Sequence, residues 1–230
     1  MTYLQQQIPL RLGATDDMTF DTFHEGAVSL AVDSCYRLAG AEGDEQQLFL
    51  AGPSGSGKTH LLTASCTRAS SLGQRIAYVP AGSIRQRDDL HGLEMMDLVC
   101  IDDVGTLGNE AQIAVFSLIN DARQQGCRLL FAGADTPAHL GLGLPDLVSR
   151  FTWGPVYQLA RLSDEEVRRA LVLRAAALGL DISPEVAEFL FLRQPRDLSV
   201  LSGSLNRLLQ AAAVDKRRLT IPFVKSVLGL

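Results

Sequence analysis

The octapeptide Gly52-Pro53-Ser54-Gly55-Ser56-Gly57-Lys58-Thr59 constrains this chain more than any other stretch. It fits the pattern G-x-x-x-x-G-K-[ST], a loop whose glycines let backbone amides curl around phosphate oxygens with no Cβ in the way. Such a loop needs a buried strand before it and a helix after it, because the helix presents its positive N-terminal end to the same anion. Both are legible here: Leu48-Phe49-Leu50-Ala51 is a short apolar run, and a helix is predicted from near Lys58. Lys58 then supplies a point charge for the β and γ phosphates, and Thr59 a hydroxyl for Mg²⁺. The implied ligand is a nucleoside di- or triphosphate with Mg²⁺.

Three further apolar runs, Ile76 to Val79, Leu98 to Ile101 and Leu129 to Ala132, have the length of strands. Helical or loop segments separate them. Between Gly26 and Ala39, Val28, Ala31, Val32, Cys35 and Leu38 recur at helical spacing. A helix from about Asn109 to Gln125 is predicted to turn Ile113, Phe116, Leu118 and Ile119 inward. Strands alternating with helices imply an α/β domain with a mainly parallel sheet covered on both faces. Pro155 to Leu159 is available as a fifth strand. After Leu162 the strand signals stop. Ser163-Asp164-Glu165-Glu166 is a capping box and Ser183-Pro184 a second helix start. A long helix is predicted over Leu198 to Ala213, and Thr220 with Pro222 opens a last short one. The expected organisation is a flexible tail over 1–18, an α/β nucleotide-binding domain over 19–160 and an all-helical lid over 161–230.

Composition narrows the partners. Lys plus Arg number 21 against 26 Asp plus Glu, a net charge of −5, so a chain built to hold nucleic acid over a broad basic surface is excluded. The charge is uneven: Gln158 to Leu230 carries 11 basic and 8 acidic residues, against 10 and 18 before it. No run of eighteen apolar residues is present, so nothing reads as a membrane span. The start, Met1 to Leu12, lacks the basic beginning and apolar core of a signal peptide, which points to the cytoplasm. Cys35, Cys66, Cys100 and Cys127 match no metal spacing and read as reduced core residues.

Beyond the loop, the next chemical signal is Leu98-Val99-Cys100-Ile101-Asp102-Asp103. An apolar strand ending in paired carboxylates is how P-loop NTPases hold magnesium and polarise water. Asp102 is the candidate Mg²⁺ ligand, with Thr59, and Asp103 the group that orients or deprotonates the attacking water. Asp135, just past another apolar run, can reach the γ-phosphate side of the site or form an ordinary turn. Arg150 and Arg196 are candidates for stabilising charge on a transferring phosphoryl group.

Taken in this order, the motifs resemble the AAA+ plan. The stretches Leu142 to Gly154 and Leu219 to Lys225, with Leu162-Ser163-Asp164-Glu165, resemble the DnaA/Hda family, and within it the Hda-type regulatory inactivators of bacterial replication initiation. The S-R-F-x-W-G segment, Ser149 to Gly154, is shared with the initiator DnaA. This resemblance implies that Gly52 to Thr59 are Walker A, Asp102 and Asp103 Walker B, Asp135 sensor 1, Arg150 an arginine finger acting in trans, and Arg196 the sensor 2 arginine of the lid. It also gives the tail a meaning. Gln7-Ile8-Pro9-Leu10-Arg11-Leu12 is similar to the Q-L-x-L-x-L peptide that docks on the β sliding clamp of DNA polymerase III, with Ile8 in place of Leu. Gln7, Ile8, Leu10 and Leu12 would carry the contact.

Family members work as nucleotide-bound partners of the DNA-loaded clamp and promote hydrolysis of the ATP held by DnaA. DnaA and the clamp are therefore the implied partners, with DNA reached only through the clamp; a homodimer is a further possible assembly. An intact Walker A leaves weak intrinsic ATPase activity open. A full initiator carries a further C-terminal DNA-binding domain, whereas this sequence stops at Leu230 soon after the lid. The expectation is an ATPase core without the DNA reader. A helicase-loader-like AAA+ ATPase is the alternative, and a P-loop small-molecule kinase a third reading.

Overall fold

Five apolar or mostly apolar segments of three to six residues form one parallel sheet. They are β1 (Gln47–Ala51), β2 (Ile76–Pro80), β3 (Leu98–Asp102), β4 (Arg128–Gly133) and β5 (Val156–Gln158). The order across the sheet is β2-β3-β4-β1-β5, with every pairing parallel. The computed structural model describes residues 18–23, 28–195, 198–215 and 219–230. Central strands that are buried on both sides have no need of polar alternation, which is why β1 and β3 read as continuous apolar runs.

Side chains still alternate between faces with the period of two that a strand imposes. On one face Leu48, Leu50, Leu98, Cys100, Leu130 and Ala132 meet α1 (Ser29–Gly40) and α2 (Lys58–Ser71). On the other, Phe49, Val99, Ile101, Leu129 and Phe131 meet α3 (Asn109–Gln125) and α4 (Pro145–Phe151). Phe151 closes that side, its ring 5.3 Å from Phe49 and 4.8 Å from Phe131. The fifth strand is real but short, and sits at the sheet edge beside β1.

Helix α3 departs from the expected inward set. Ala111, Val115, Leu118, Ile119 and Ala122 are buried, Phe116 lies at the border of the core, and Ile113 is exposed. At about 100° per residue, Ile113 falls nearly opposite the 111–115–118–122 stripe. All four cysteines are buried thiols, and burial pushes those of Cys35 and Cys127 up to about 12. They are unreactive packing residues.

Four helices follow: α5 (Asp164–Ala177), α6 (Pro184–Arg193), α7 (Leu198–Asp215) and α8 (Ile221–Leu228). They share a core of their own around Leu171, Leu190, Phe191, Leu201, Leu205 and Val224. The capping box closes as its sequence implies: Ser163 N donates to Glu166 Oε2 at 2.7 Å and Glu166 N to Ser163 Oγ at 3.3 Å. Ser183 Oγ accepts from Val186 N at 3.4 Å at the start of α6. Among the described residues no helix is long and apolar enough to cross a membrane.

Candidate functional site

Parallel strands bring their C-terminal ends to one edge, where a crevice forms between strands whose connections leave to opposite faces. Here β1 ends at the Gly52–Thr59 loop, β3 at Asp102 and β4 at Gly133, so three sequence-distant segments converge on one edge. Gly52 N donates to Gly133 O at 3.1 Å, tying the loop's start to the end of β4. Two loop glycines carry the turn in the left-handed region, Gly55 at φ 78° and Gly57 at φ 91°. A Cβ on Gly52 would fall 2.5 Å from Leu159 O, and one on Gly57 2.7 Å from the Phe23 ring.

Lys58 is buried, and its Nζ donates to Gly52 O at 2.7 Å and to Pro53 O at 2.9 Å. The loop thus wraps the ammonium and holds it at the mouth of the helix. Ser56 Oγ is buried without a hydrogen-bond partner among the described residues. An orphaned hydroxyl in a glycine cradle beside an ammonium and a helix N-terminus is the arrangement a phosphate group completes. The residues present therefore fit a nucleoside phosphate, held by the loop amides and Lys58.

Asp102 is the best-anchored carboxylate of the site. Its Oδ2 accepts from Thr59 Oγ1 at 2.7 Å and from Tyr78 OH at 2.7 Å, while Oδ1 accepts from Asp103 N at 2.9 Å. A hydroxyl and a carboxylate held this close at the foot of the loop are hard oxygen donors, the kind magnesium takes one or two of beside phosphates. Asp103 adopts φ 55°, uncommon for a residue with a side chain, and the chain turns there into a short 3₁₀ segment, Val104–Thr106. Burial, then the charge of Asp102, hold its carboxyl above the usual range, with Lys58 opposing both. Burial and Asp102 likewise push the Tyr78 phenol up, which keeps it a donor.

Asp135 lies two residues past β4 at the same edge, exposed, and its Oδ1 accepts from Thr136 N at 2.7 Å. This contact is that of the turn reading. Arg150 lies elsewhere. Its carbonyl accepts from Gln47 Nε2 at 2.7 Å, at the beginning of β1 rather than its end. Its Nε donates to Asn120 Oδ1 at 3.0 Å, and its guanidinium stands 3.9 Å from the Trp153 ring centroid. From Gln47 to Ala51 the strand rises about 13 Å, so Arg150 and the phosphate loop of the same chain occupy opposite edges of the sheet. Arg196 and the peptide residues Gln7, Ile8, Leu10 and Leu12 lie outside the described residues.

Two contributors escaped the sequence reading. Tyr78 enters from β2, where it reads as one ring in the run Ile76–Pro80. Phe23 abuts Gly57, and the neighbouring Thr19 is joined by its carbonyl to His60 Nε2 at 2.8 Å. The aromatic pair Phe20 and Phe23 in a polar stretch was the signal available for the second.

The comparisons agree with the fold. Residues 15–158 match the family model described as the bacterial DnaA ATPase domain, and residues 164–228 match the lid domain of Hda. Among solved structures, domain III of the Thermotoga maritima replication initiation protein DnaA is 22% identical with a TM-score of 0.75, over 93% of this chain and 96% of that one. AMPPCP-bound DnaA from Aquifex aeolicus is 22% identical with a TM-score of 0.69, over 86% and 67%. The Thermotoga maritima RuvB branch migration motor is 20% identical with a TM-score of 0.61, over 89% and 67%. These structures share the fold: a parallel AAA+ sheet followed by helices.

Proposed function

The chain belongs to the bacterial DnaA ATPase-domain family, as an Hda-like, DnaA-related AAA+ protein, and on that premise we propose that it switches off replication initiation. In this reading it is a nucleotide-bound regulator that docks on the DNA-loaded sliding clamp and stimulates hydrolysis of the ATP held by DnaA. DnaA is left in its inactive ADP form. The division into a tail over 1–18, a nucleotide-binding domain over 19–160 and a lid over 161–230 gives each task its own part.

The observation that carries this reading is the separation of Arg150 from its own phosphate loop. The Arg150 carbonyl is held at the start of β1 by Gln47, and its guanidinium is braced by Asn120 of α3 and by Trp153, while the phosphate loop follows the far end of β1. The guanidinium is suited to a nucleotide on a neighbouring protein, where an arginine offered in trans stabilises charge on the transferring phosphoryl group. Within the chain's own site, the loop amides and Lys58 hold ADP or ATP, and Thr59 and Asp102 hold magnesium. Magnesium, when bound, offsets negative charge on the β and γ phosphates. Asp103 orients water, Asp135 senses the γ-phosphate side and Arg196 does so from the lid. Weak intrinsic ATPase activity is compatible with this set. Gln7, Ile8, Leu10 and Leu12 seat the tail on the clamp in the cytoplasm.

The test is turnover of DnaA-bound ATP in the presence of clamp loaded on DNA. Adding the intact protein should raise turnover, and Arg150→Ala should abolish the rise while clamp binding is retained. Deleting residues 1–13 should abolish clamp binding while nucleotide binding is retained. Unchanged DnaA turnover with the intact protein would sink the proposal.

A further inference from the structure

The Walker B carboxylate is held by a group that no phosphate-loop motif contains. Strand β2 pairs with β3 so that Tyr78 stands beside Cys100, two residues before Asp102 on the same face of the sheet. From there the phenol runs diagonally along β3, within the reach of a long side chain between adjacent strands. Its hydroxyl ends 2.7 Å from Asp102 Oδ2. Thr59 Oγ1, from the first turn of α2, ends 2.7 Å from the same oxygen. Oδ1 is occupied by the Asp103 amide at 2.9 Å. The carboxylate is thus gripped from three elements: β2, α2 and the turn after β3.

We infer that Tyr78 is a positioning residue for magnesium, locking the Asp102 carboxylate in the rotamer that keeps Oδ2 on the Thr59 hydroxyl. The inference rests on the nucleotide-site reading and deepens it. Without the phenol, Asp102 keeps Thr59 on Oδ2 and the Asp103 amide on Oδ1 but loses its brace from β2, and its carboxylate is freer to turn. A ligand free to turn must be ordered when the metal arrives, and that ordering weakens binding. Tyr78 does not touch the nucleotide in this scheme, so its removal leaves metal-free nucleotide binding alone and lowers only the gain that magnesium brings. Its ring also packs in the apolar cluster beneath α2. A purely structural role would therefore affect binding with and without the metal alike.

The experiment is a titration of full-length protein with a fluorescent ADP derivative, once in Mg²⁺ and once in EDTA, for wild type, Y78F, D102N and the double variant. Wild type should bind in both media and more tightly in Mg²⁺. Y78F should bind as wild type does in EDTA, while its Mg²⁺ gain falls about tenfold, the worth of one hydrogen bond to an ionised group. In the D102N background, Y78F should change the Mg²⁺ gain less than twofold, because the partner through which it acts is gone. Should Y78F fail to fold, Tyr78→Leu also lacks the donor and takes its place. A full Mg²⁺ gain in Y78F, or equal losses in both backgrounds, overturns the inference and leaves the nucleotide site standing. Wild-type binding that is indifferent to Mg²⁺ overturns the metal role of Asp102 and this inference with it. No binding of ADP at all overturns the nucleotide-site reading itself.

Discussion

Gly154 shows what a single residue has to do in this fold. The chain leaves α4, passes Trp153 and brings its backbone against the start of β1, so that a Cβ at 154 would lie 1.8 Å from Gln47 O. No side chain fits there without moving backbone. Gly154→Ala should lower stability by about 1–3 kcal/mol, as overpacking of a tight site does, read as a fall in the thermal midpoint. Because Gln47 also holds the Arg150 carbonyl, the same variant should blunt stimulation of DnaA turnover more than it weakens ADP binding. Asp102 and Asp103 were legible as candidate site residues because they follow directly on an apolar run. Tyr78 was not, because its role comes from the pairing of β2 with β3 across some twenty residues. No local pattern around a lone aromatic in a strand announces a partner on the neighbouring strand.

At the scale of the element, periodicity located the helices and misassigned one face. An amphipathic pattern specifies a helix well, but a stripe that contains alanines leaves its centre underdetermined. The apolar positions of α3 include Ala111, Ala114 and Ala122, which are buried although they are small. Large residues alone drew the expected face toward Ile113, which the structure leaves in solvent. Ile113→Lys should therefore change stability by less than about 0.5 kcal/mol, while Leu118→Ala should cost about 2–5 kcal/mol. Urea midpoints for the two variants measure the contrast, and equal effects would contradict this face assignment. Helix ends were more legible, since caps are local chemistry. Ser163 and Glu166 satisfy each other's backbone amides, so Ser163→Ala should lower stability by about 1 kcal/mol in the same assay. The matching loss at Glu166→Ala would identify the reciprocal box rather than a single contact.

For the whole molecule, two cores lie one after the other along the chain: the sheet with α1 to α4, and the bundle of α5 to α8. A ligand that binds the folded sheet edge stabilises the fold by mass action. ADP at a hundredfold excess over its dissociation constant should add about 2.7 kcal/mol, visible as a raised thermal midpoint. Lys58→Ala should lose that response, because its ammonium is the charge the loop is wrapped around. A variant that still responds would place the ligand elsewhere. The amino-acid order alone was enough for the phosphate loop, the strand-end acids and the succession of an α/β part by a helical one. Each of these is contiguous, and its chemistry follows from neighbours a few residues away. The position of Arg150 is of another kind. In the sequence it is one arginine on a short helix; in the fold it stands at the opposite edge of the sheet from Gly52–Thr59. That separation arises from strand order and direction, set by long-range pairing of β1 with β4 and β5. Pairing across about a hundred residues is a property of the folded chain, and the proposed role of Arg150 in trans rests on the separation that it creates.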